Sequence, residues 1–398
     1  MIRYRIILGI FFALVFLGSC NQRKSTISDE MYKGGYELEI IPHSDTLSLS
    51  TLYKSNFELF RFNGLELHSI NDILRYDSLW VIQGKAVEGE IHLFDSLGQY
   101  KTTLLKKGNG PDEVINVWQM KLYENALFCL VNSGTELIKY SLSNMKIEWR
   151  FTLPTEILSA KDFELFSDNI ILFLKSLTRH PDEKEYKLYT YDRNLKKIIA
   201  RLIELDKTSS EYISFSQKGC LYRYQDSIRY YEVFNRGILQ IDNSNLNHKG
   251  YISFLENTYM FPNDKLLGDY TFEKFINYCK SSDYIWAHCN LYEGAHYITS
   301  TFEYSDDFYL NVIDKRNKTS HSYKWISDNY LLNMVYPIEE ALSRVGVSND
   351  CHYYTLSFYD IERMLKEGNG KILSKKLQET YDSMDYNSND LVICLYEK

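Results

Sequence analysis

Between Ile70 and Ile326 the chain repeats one unit, four short apolar runs joined by tight polar turns, with a period of about 45 residues. The first set is Ile70–Tyr76, Leu79–Gln83, Glu90–Asp95 and Tyr100–Leu105. The second is Val114–Leu122, Ala126–Val131, Glu136–Ser141 and Ile147–Leu153. A third runs through Ala160–Phe166, Ile170–Lys175, Lys187–Asp192 and Lys197–Leu205, and a fourth through Ile213–Tyr222, Ser227–Phe234, Ile238–Asp242 and Lys249–Leu255. The fifth is Tyr284–Cys289, His296–Glu303, Phe308–Asp314 and Thr319–Ile326. The third run of each set closes on a similar phrase (HLFDSLG, IKYSLSN, YTYDRNL, LQIDNSN, NVIDKRN), an apolar alternation that enters a turn through Asp or Ser. Such sets are antiparallel meanders. A four-stranded unit recurring at this interval is the pattern of β-propeller blades, whose ring closure lets strands stay short without open edges.

A sixth set has to come from the rest of the chain, where the pattern breaks. His352–Phe358 and Asp390–Glu397 read as strands, Tyr359–Glu367 and Ile372–Ser383 as helices between them, and Tyr270–Lys280 as a further helix with Phe272, Phe275, Ile276 and Cys279 on one face. Tyr330–Arg344 reads as a loop and a short helix. Tyr36–Ile41 reads as a strand that completes the last blade and ties the ring shut, with Leu47–Leu67 as a lead-in. The expected fold is all-β, a six-bladed propeller of four-stranded antiparallel blades with helices inserted near the C-terminus.

The N-terminus has a different character. Arg3 and Arg5 precede the apolar run Ile6–Leu17, and Leu17-Gly18-Ser19-Cys20 follows. A basic start, a short apolar core and small residues before a cut define a secretory signal. The run is too short to span about 30 Å of hydrocarbon as a helix. Its ending resembles the bacterial lipobox, which makes Cys20 the lipidated first residue of the mature chain. Residues 1–19 are then the signal peptide, 20–35 a polar, flexible lipidated tether, and 36–398 a single propeller domain. The expected location is the cell envelope, at the outer membrane. Arg23 and Lys24 stand where an acidic export signal would, so the periplasmic and surface faces both stay open.

Abundant Tyr (34) and Phe (21) favour strands. The formal net charge of −8 argues against a nucleic-acid partner, which needs clustered positive charge. Cys129, Cys220, Cys279, Cys289, Cys351 and Cys394 are scattered without a C-x-x-C, which disfavours zinc or thioredoxin-like chemistry. Those in the apolar runs ALFCLV and DLVICLY are expected to be buried free thiols.

Lys107–Glu113 (KGNGPDE) follows the first set directly. Gly108 and Gly110 offer backbone angles that other residues avoid, and Pro111 rigidifies the step, so the segment reads as a tight crossover between blades. Glu113 closes it, as a structural acceptor for turn N–H groups or as a carboxylate offered to the channel. Here the chain resembles the six-bladed β-propeller lipoproteins of Bacteroidetes-type bacteria, related in fold to NHL-type propellers. Phe94-Asp95-Ser96-Leu97-Gly98-Gln99-Tyr100 and Gly108-Asn109-Gly110-Pro111-Asp112-Glu113 match that family's F-D-x-x-G-x-[FY] hairpin and G-x-G-P-G-E crossover, with Asp112 where the family has Gly. The resemblance implies the fold and an envelope location, and no reaction.

No catalytic motif stands out: G-x-S-x-G, H-E-x-x-H, a P-loop and the sialidase Asp-box are all missing from the sequence. His288, Cys289, Glu293 and His296 (HCNLYEGAH) have metal-ligating side chains at a spacing that better fits a hairpin with Gly294 in its turn. Asp306-Asp307 and Ser348-Asn349-Asp350 read as turns rather than calcium ligands. Trp80, Trp118, Trp149, Trp286 and Trp325 read as layers between blades. Tyr230-Tyr231 and Tyr353-Tyr354 each put one ring on either face of a strand, so one of each pair is expected to be exposed. No metal or cofactor is expected. The leading function is a binding or scaffold module for a glycan or protein at a propeller face. The alternative is a carbohydrate-active hydrolase or lyase with dispersed acidic and aromatic residues.

Overall fold

A computed structural model describes residues 31–84, 89–175, 185–204, 220–262, 272–338, 343–348, 351–367 and 373–398. Cys20 and the signal-like segment lie outside the described residues. Six sheets form, each built on a four-stranded antiparallel meander, and their order gives a six-bladed propeller. Blade one holds Ile70–Tyr76, Leu79–Gly84, Ile91–Phe94 and Tyr100–Lys107; blade two holds Val117–Tyr123, Ala126–Val131, Glu136–Ser141 and Lys146–Thr152. Blade three follows with Ala160–Leu165, Ile170–Lys175, Tyr186–Asp192 and Lys197–Glu204, and blade four with Leu221–Tyr224, Ser227–Tyr230, Gly237–Ile241 and His248–Phe254. Blade five is Trp286–Glu293, Tyr297–Tyr304, Asp307–Asp314 and Thr319–Asp328.

The strands are apolar on both faces because each blade packs on two neighbours. Ala126–Val131 is buried along its whole length. Phe128 and Leu130 join the core between blades two and three, while Leu127, Cys129 and Val131 join the core between one and two. Six such interblade cores run round the ring. Each fully buried Leu, Ile or Phe contributes about 1.5–3 kcal/mol of transfer free energy.

Blade six departs from the expected closure. Its strands run Ser343–Ser348, Cys351–Leu356, Leu391–Glu397 and then Tyr53–Phe60 from the N-terminal side. Tyr36–Leu38 instead lies parallel to His248–Phe254 on the edge of blade four, and Asp45–Ser48 lies parallel to Thr319–Asp328 on blade five. The N-terminal segment is a belt round two blades before it closes the third. The two strands differ in length. Tyr36–Leu38 has three residues, whereas the eight of Tyr53–Phe60 match the seven of Leu391–Glu397. Leu38 and Ile40 are drawn into the core between blades four and five. The belt lies close: a Cβ on Gly250 would sit 2.0 Å from the Tyr32 carbonyl oxygen.

Helices Phe358–Glu367 and Lys375–Tyr381 are inserted between the second and third strands of blade six, and Phe272–Lys280 precedes blade five. Within Tyr330–Arg344 the structure has a strand, Met334–Pro337, paired with Thr319–Asp328, and the start of the inner strand of blade six. Cys351 and Cys394 form a disulfide between neighbouring strands of blade six, with Cα atoms 6.0 Å apart, so Cys394 is not the free thiol expected. Cys129 is free and buried.

Candidate functional site

The first strand of each blade faces the ring axis, so these six strands carry the groups nearest the channel. Across blades two to four the wall is filled by ion pairs. Lys121 Nζ lies 3.3 Å from Asp162 Oδ1 and 3.0 Å from Glu164 Oε2, and donates to the Leu221 carbonyl at 2.6 Å. Leu221 N–H donates back to Asp162 at 2.8 Å. Burial pulls the Lys121 ammonium down, but Asp162 and Glu164 outweigh it and hold its pKa above the ordinary value. Burial keeps the fully enclosed Asp162 above the usual carboxylate range against the pull of Lys121. These acids spend their charge on joining three blades.

Blade five differs. The inner strands of blades one, two, three and six each carry one register break, and Trp286–Glu293 carries two. Two of its residues that are not glycine take left-handed backbone angles, Ala287 at φ 47° and Asn290 at φ 52°. Such residues are strained, and they persist where the surroundings over-determine them. The breaks turn neighbouring side chains in opposite directions. His288 faces blade four, packed against Tyr231 and Phe254 and hydrogen-bonded to Ser300 Oγ at 2.7 Å. Burial lowers its pKa to about 3. Ala287, Cys289 and Asn290 border the space shared with blade six, Ala287 also packing beside Phe275 and Trp286.

There they wall a cleft of about 490 Å³ between blades five and six. Its floor is aliphatic and aromatic, with Leu52, Phe302, Leu310, Ile326, Tyr336 and Leu395, and its polar groups are few: Arg344, Glu303, Asn290, Thr299, Thr301 and the hydroxyls of Tyr53 and Tyr354. Tyr53 joins Tyr354 at 2.7 Å and His352 Nδ1 at 2.9 Å. The His352 ring stacks edge-on against Tyr292 at 3.9 Å, and its Nε2 is buried without a hydrogen-bond partner among the described residues. Burial, and then the charge of Arg344, hold His352 well below its ordinary pKa. Burial raises Glu303. The cleft has the size and character of small-ligand sites, which are mostly apolar with a few placed polar groups.

The residues singled out in the sequence are dispersed. In the crossover, Glu113 Oε2 accepts the Gly110 N–H at 2.8 Å, and Arg150 donates to the carbonyls of Pro111 and Glu113 at 3.1 Å each. Neither Gly108 nor Gly110 has a positive φ, so the expected backbone freedom is not what glycine supplies. At Gly108 a Cβ would lie 1.9 Å from Glu113 Oε2, so a side chain there would push the carboxylate from its place at the Gly110 N–H. Within HCNLYEGAH, Cys289 and Asn290 reach the cleft. Glu293 is enclosed between blades four and five by Lys315 at 2.8 Å, Arg229 at 3.3 Å and the Tyr251 hydroxyl at 2.9 Å, and the His296 N–H donates to Glu397. Among the described residues no three His, Cys, Asp or Glu side chains converge as a metal site. Asp307 pairs with Lys324, while Asn349 and Asp350 lie outside the described residues. Trp80 and Trp286 are buried, but Trp118 and Trp325 are exposed. Tyr230 and Tyr231 are both buried, because both faces of a blade pack on neighbours. Arg344 and Tyr53 carried no signal in the sequence. Tyr354 did, as half of a tyrosine pair.

A family model described as "Domain of unknown function (DUF4934)" matches residues 67–396. A solved structure from Bacteroides fragilis, named "Putative exported protein", aligns with a TM-score of 0.69 at 18% identity, covering 92% of this chain and 99% of its own. The designed Ika8 protein (TM-score 0.39, 10% identity, 76% and 72% coverage) and U3-55K (0.40, 7%, 76% and 78%) are too distant to bear on the fold. No curated protein matches the sequence.

Proposed function

The chain belongs to the DUF4934 family, and with no activity attached to that family its function is read from its own geometry: we propose that it is an exported lipoprotein, anchored through Cys20 at the outer membrane, whose propeller binds a small ligand in the cleft between blades five and six. The observation that carries this reading is the cleft, a mostly apolar hollow of about 490 Å³ walled by an inner strand with two register breaks. The acids nearest the axis of blades two to four are engaged by Lys121, so the structure favours binding over a pair of free carboxylates of the kind a glycosidase uses. Export is supported by the apolar run before Cys20, by the name of the Bacteroides fragilis relative, and by the Cys351–Cys394 disulfide, which suits an oxidising compartment.

The two halves of the proposal have separate tests. Labelling cells with an alkyne fatty acid is expected to tag the full chain and to leave Cys20→Ala untagged; equal tagging of both ends the anchor reading. For the cleft, the mature chain carrying Cys20→Ser, which stays unlipidated, is screened by thermal shift against glycans, peptides and small amphiphiles. At least one class is expected to raise the midpoint by several degrees, and Leu310→Trp, which fills the cleft, is expected to abolish that shift. A panel without a shift, or a shift untouched by Leu310→Trp, removes the cleft as the binding site.

A further inference from the structure

The cleft holds a cation, Arg344, that forms no ion pair among the described residues. Arg344 donates to two neutral oxygens, Thr299 Oγ1 at 3.4 Å and the Asn290 carbonyl, and its guanidinium lies 5.3 Å from the centre of the Tyr292 ring. Among the described residues no carboxylate lies within ion-pairing distance of it. Several other cations do have one, Lys121 with Asp162, Lys187 with Glu232 and Arg229 with Glu293 between blades and Arg150 with Glu136 within blade two, whereas Arg193 resembles Arg344 in meeting a neutral oxygen, Asn169 Oδ1, and a ring, Trp149. A cation beside a low-dielectric hollow without a counter-ion is costly, and the cost is recovered when an anion arrives. Its charge is felt by its neighbours: burial lowers His352 and raises Tyr53 and Tyr354, and Arg344 acts on all three in the downward direction, with burial on the histidine and against it on the tyrosines.

Resting on the cleft as the binding site, we propose that its ligand is an amphiphilic monoanion, with an apolar body on the floor formed by Leu52, Leu310, Ile326 and Leu395 and a single acid group on Arg344. The guanidinium fork matches a carboxylate or an ester of sulfate or phosphate in two-point contact. Asn290 and Thr299, which already hold the fork, fix its direction. Glu303 on the same lining repels a second acid group and limits the ligand to one charge. A free sugar fits poorly, because the aliphatic floor leaves its hydroxyls without partners.

The test is calorimetric titration of the unlipidated mature chain with decanoate and with decanol, both below their aggregation limits. Decanoate is expected to bind at least tenfold more tightly than decanol. Arg344→Gln is expected to erase that preference and leave decanol unchanged, Arg344→Lys to keep part of it, and Leu310→Trp to weaken both ligands. Circular dichroism checks that each variant is folded. Equal binding of the two ligands, or a preference that survives Arg344→Gln, overturns the acid assignment while the cleft remains the binding site. Binding of neither ligand overturns this proposal, and with it the cleft if the wider screen is also blank.

Discussion

Two walls of the same ring use charge in opposite ways. Across blades two to four, Lys121 is surrounded by Asp162, Glu164 and a carbonyl, and every charge is answered within the protein. Between blades five and six, Arg344 meets only neutral oxygens among the described residues, beside a largely apolar cleft, and the strand opposite bends twice through left-handed residues. The first wall is a fastening for three blades. The second has kept a cation, a hollow and strained backbone together. Rigidity sits on one side of the ring and unmet interaction capacity on the other.

The largest effect expected from this contrast is on stability. Asp162→Ala strips Lys121 of one acid and leaves the Leu221 N–H without its acceptor. Breaking a buried pair in this way costs about 3–5 kcal/mol. Arg344 has no counter-ion among the described residues, so the loss in Arg344→Gln is expected to be smaller, about 1.5–3 kcal/mol, the worth of hydrogen bonds from a charged donor. Urea unfolding of both variants checks the pair, and equal losses would erase the distinction between the walls.

Acid should also act unevenly. His288 is held neutral by burial, with its pKa lowered to about 3 from 6.5 in the unfolded chain. Above pH 6.5 both states are neutral there and the group adds nothing. Below it the unfolded state takes up the proton first, so stability falls as the pH drops from 6.5 towards 3, by about 3 kcal/mol at pH 4 from this residue. His352, also lowered, acts with the same sign on the other side of the cleft. Comparing urea midpoints at pH 7 and pH 4, His288→Gln is expected to lose about 3 kcal/mol less than the parent; an unchanged loss would place the acid sensitivity elsewhere.

The ring was legible in the sequence and the cleft was not, for a physical reason. Ala126–Val131 must be apolar on both faces to sit between two blades, so its burial is written into consecutive residues. The hairpin turns are equally local: the Asp95 carboxylate accepts the N–H groups of Leu97 and Gln99 at 3.0 Å each, with Gly98 at φ 76°. The belt is not local. Tyr36–Leu38 and Tyr53–Phe60 both have strand character, and each pairs with a strand far along the chain. The cleft draws its lining from Leu49 to Leu395, and Arg344 stands where no clear periodicity marks a strand. HCNLYEGAH drew notice as chemistry, yet its double register break sends His288 and Cys289 to different blades.

The smallest expected effect bears most directly on whether the second wall stores strain. An alanine in the left-handed region costs about 1–2 kcal/mol, because its Cβ crowds the following carbonyl. Glycine escapes that clash but loses about 0.5–1 kcal/mol more backbone entropy on folding. Ala287→Gly is therefore expected to raise stability by about 0.5–1 kcal/mol, although the interior of a strand is where glycine normally destabilises. The same change should loosen the wall that Asn290 shares with Arg344, so decanoate affinity is expected to fall two- to fivefold while stability rises. A gain in stability with a loss of binding would show strain held for the cleft. A loss of stability would show that Ala287 rests comfortably in its left-handed turn, and the two walls would then differ in charge alone.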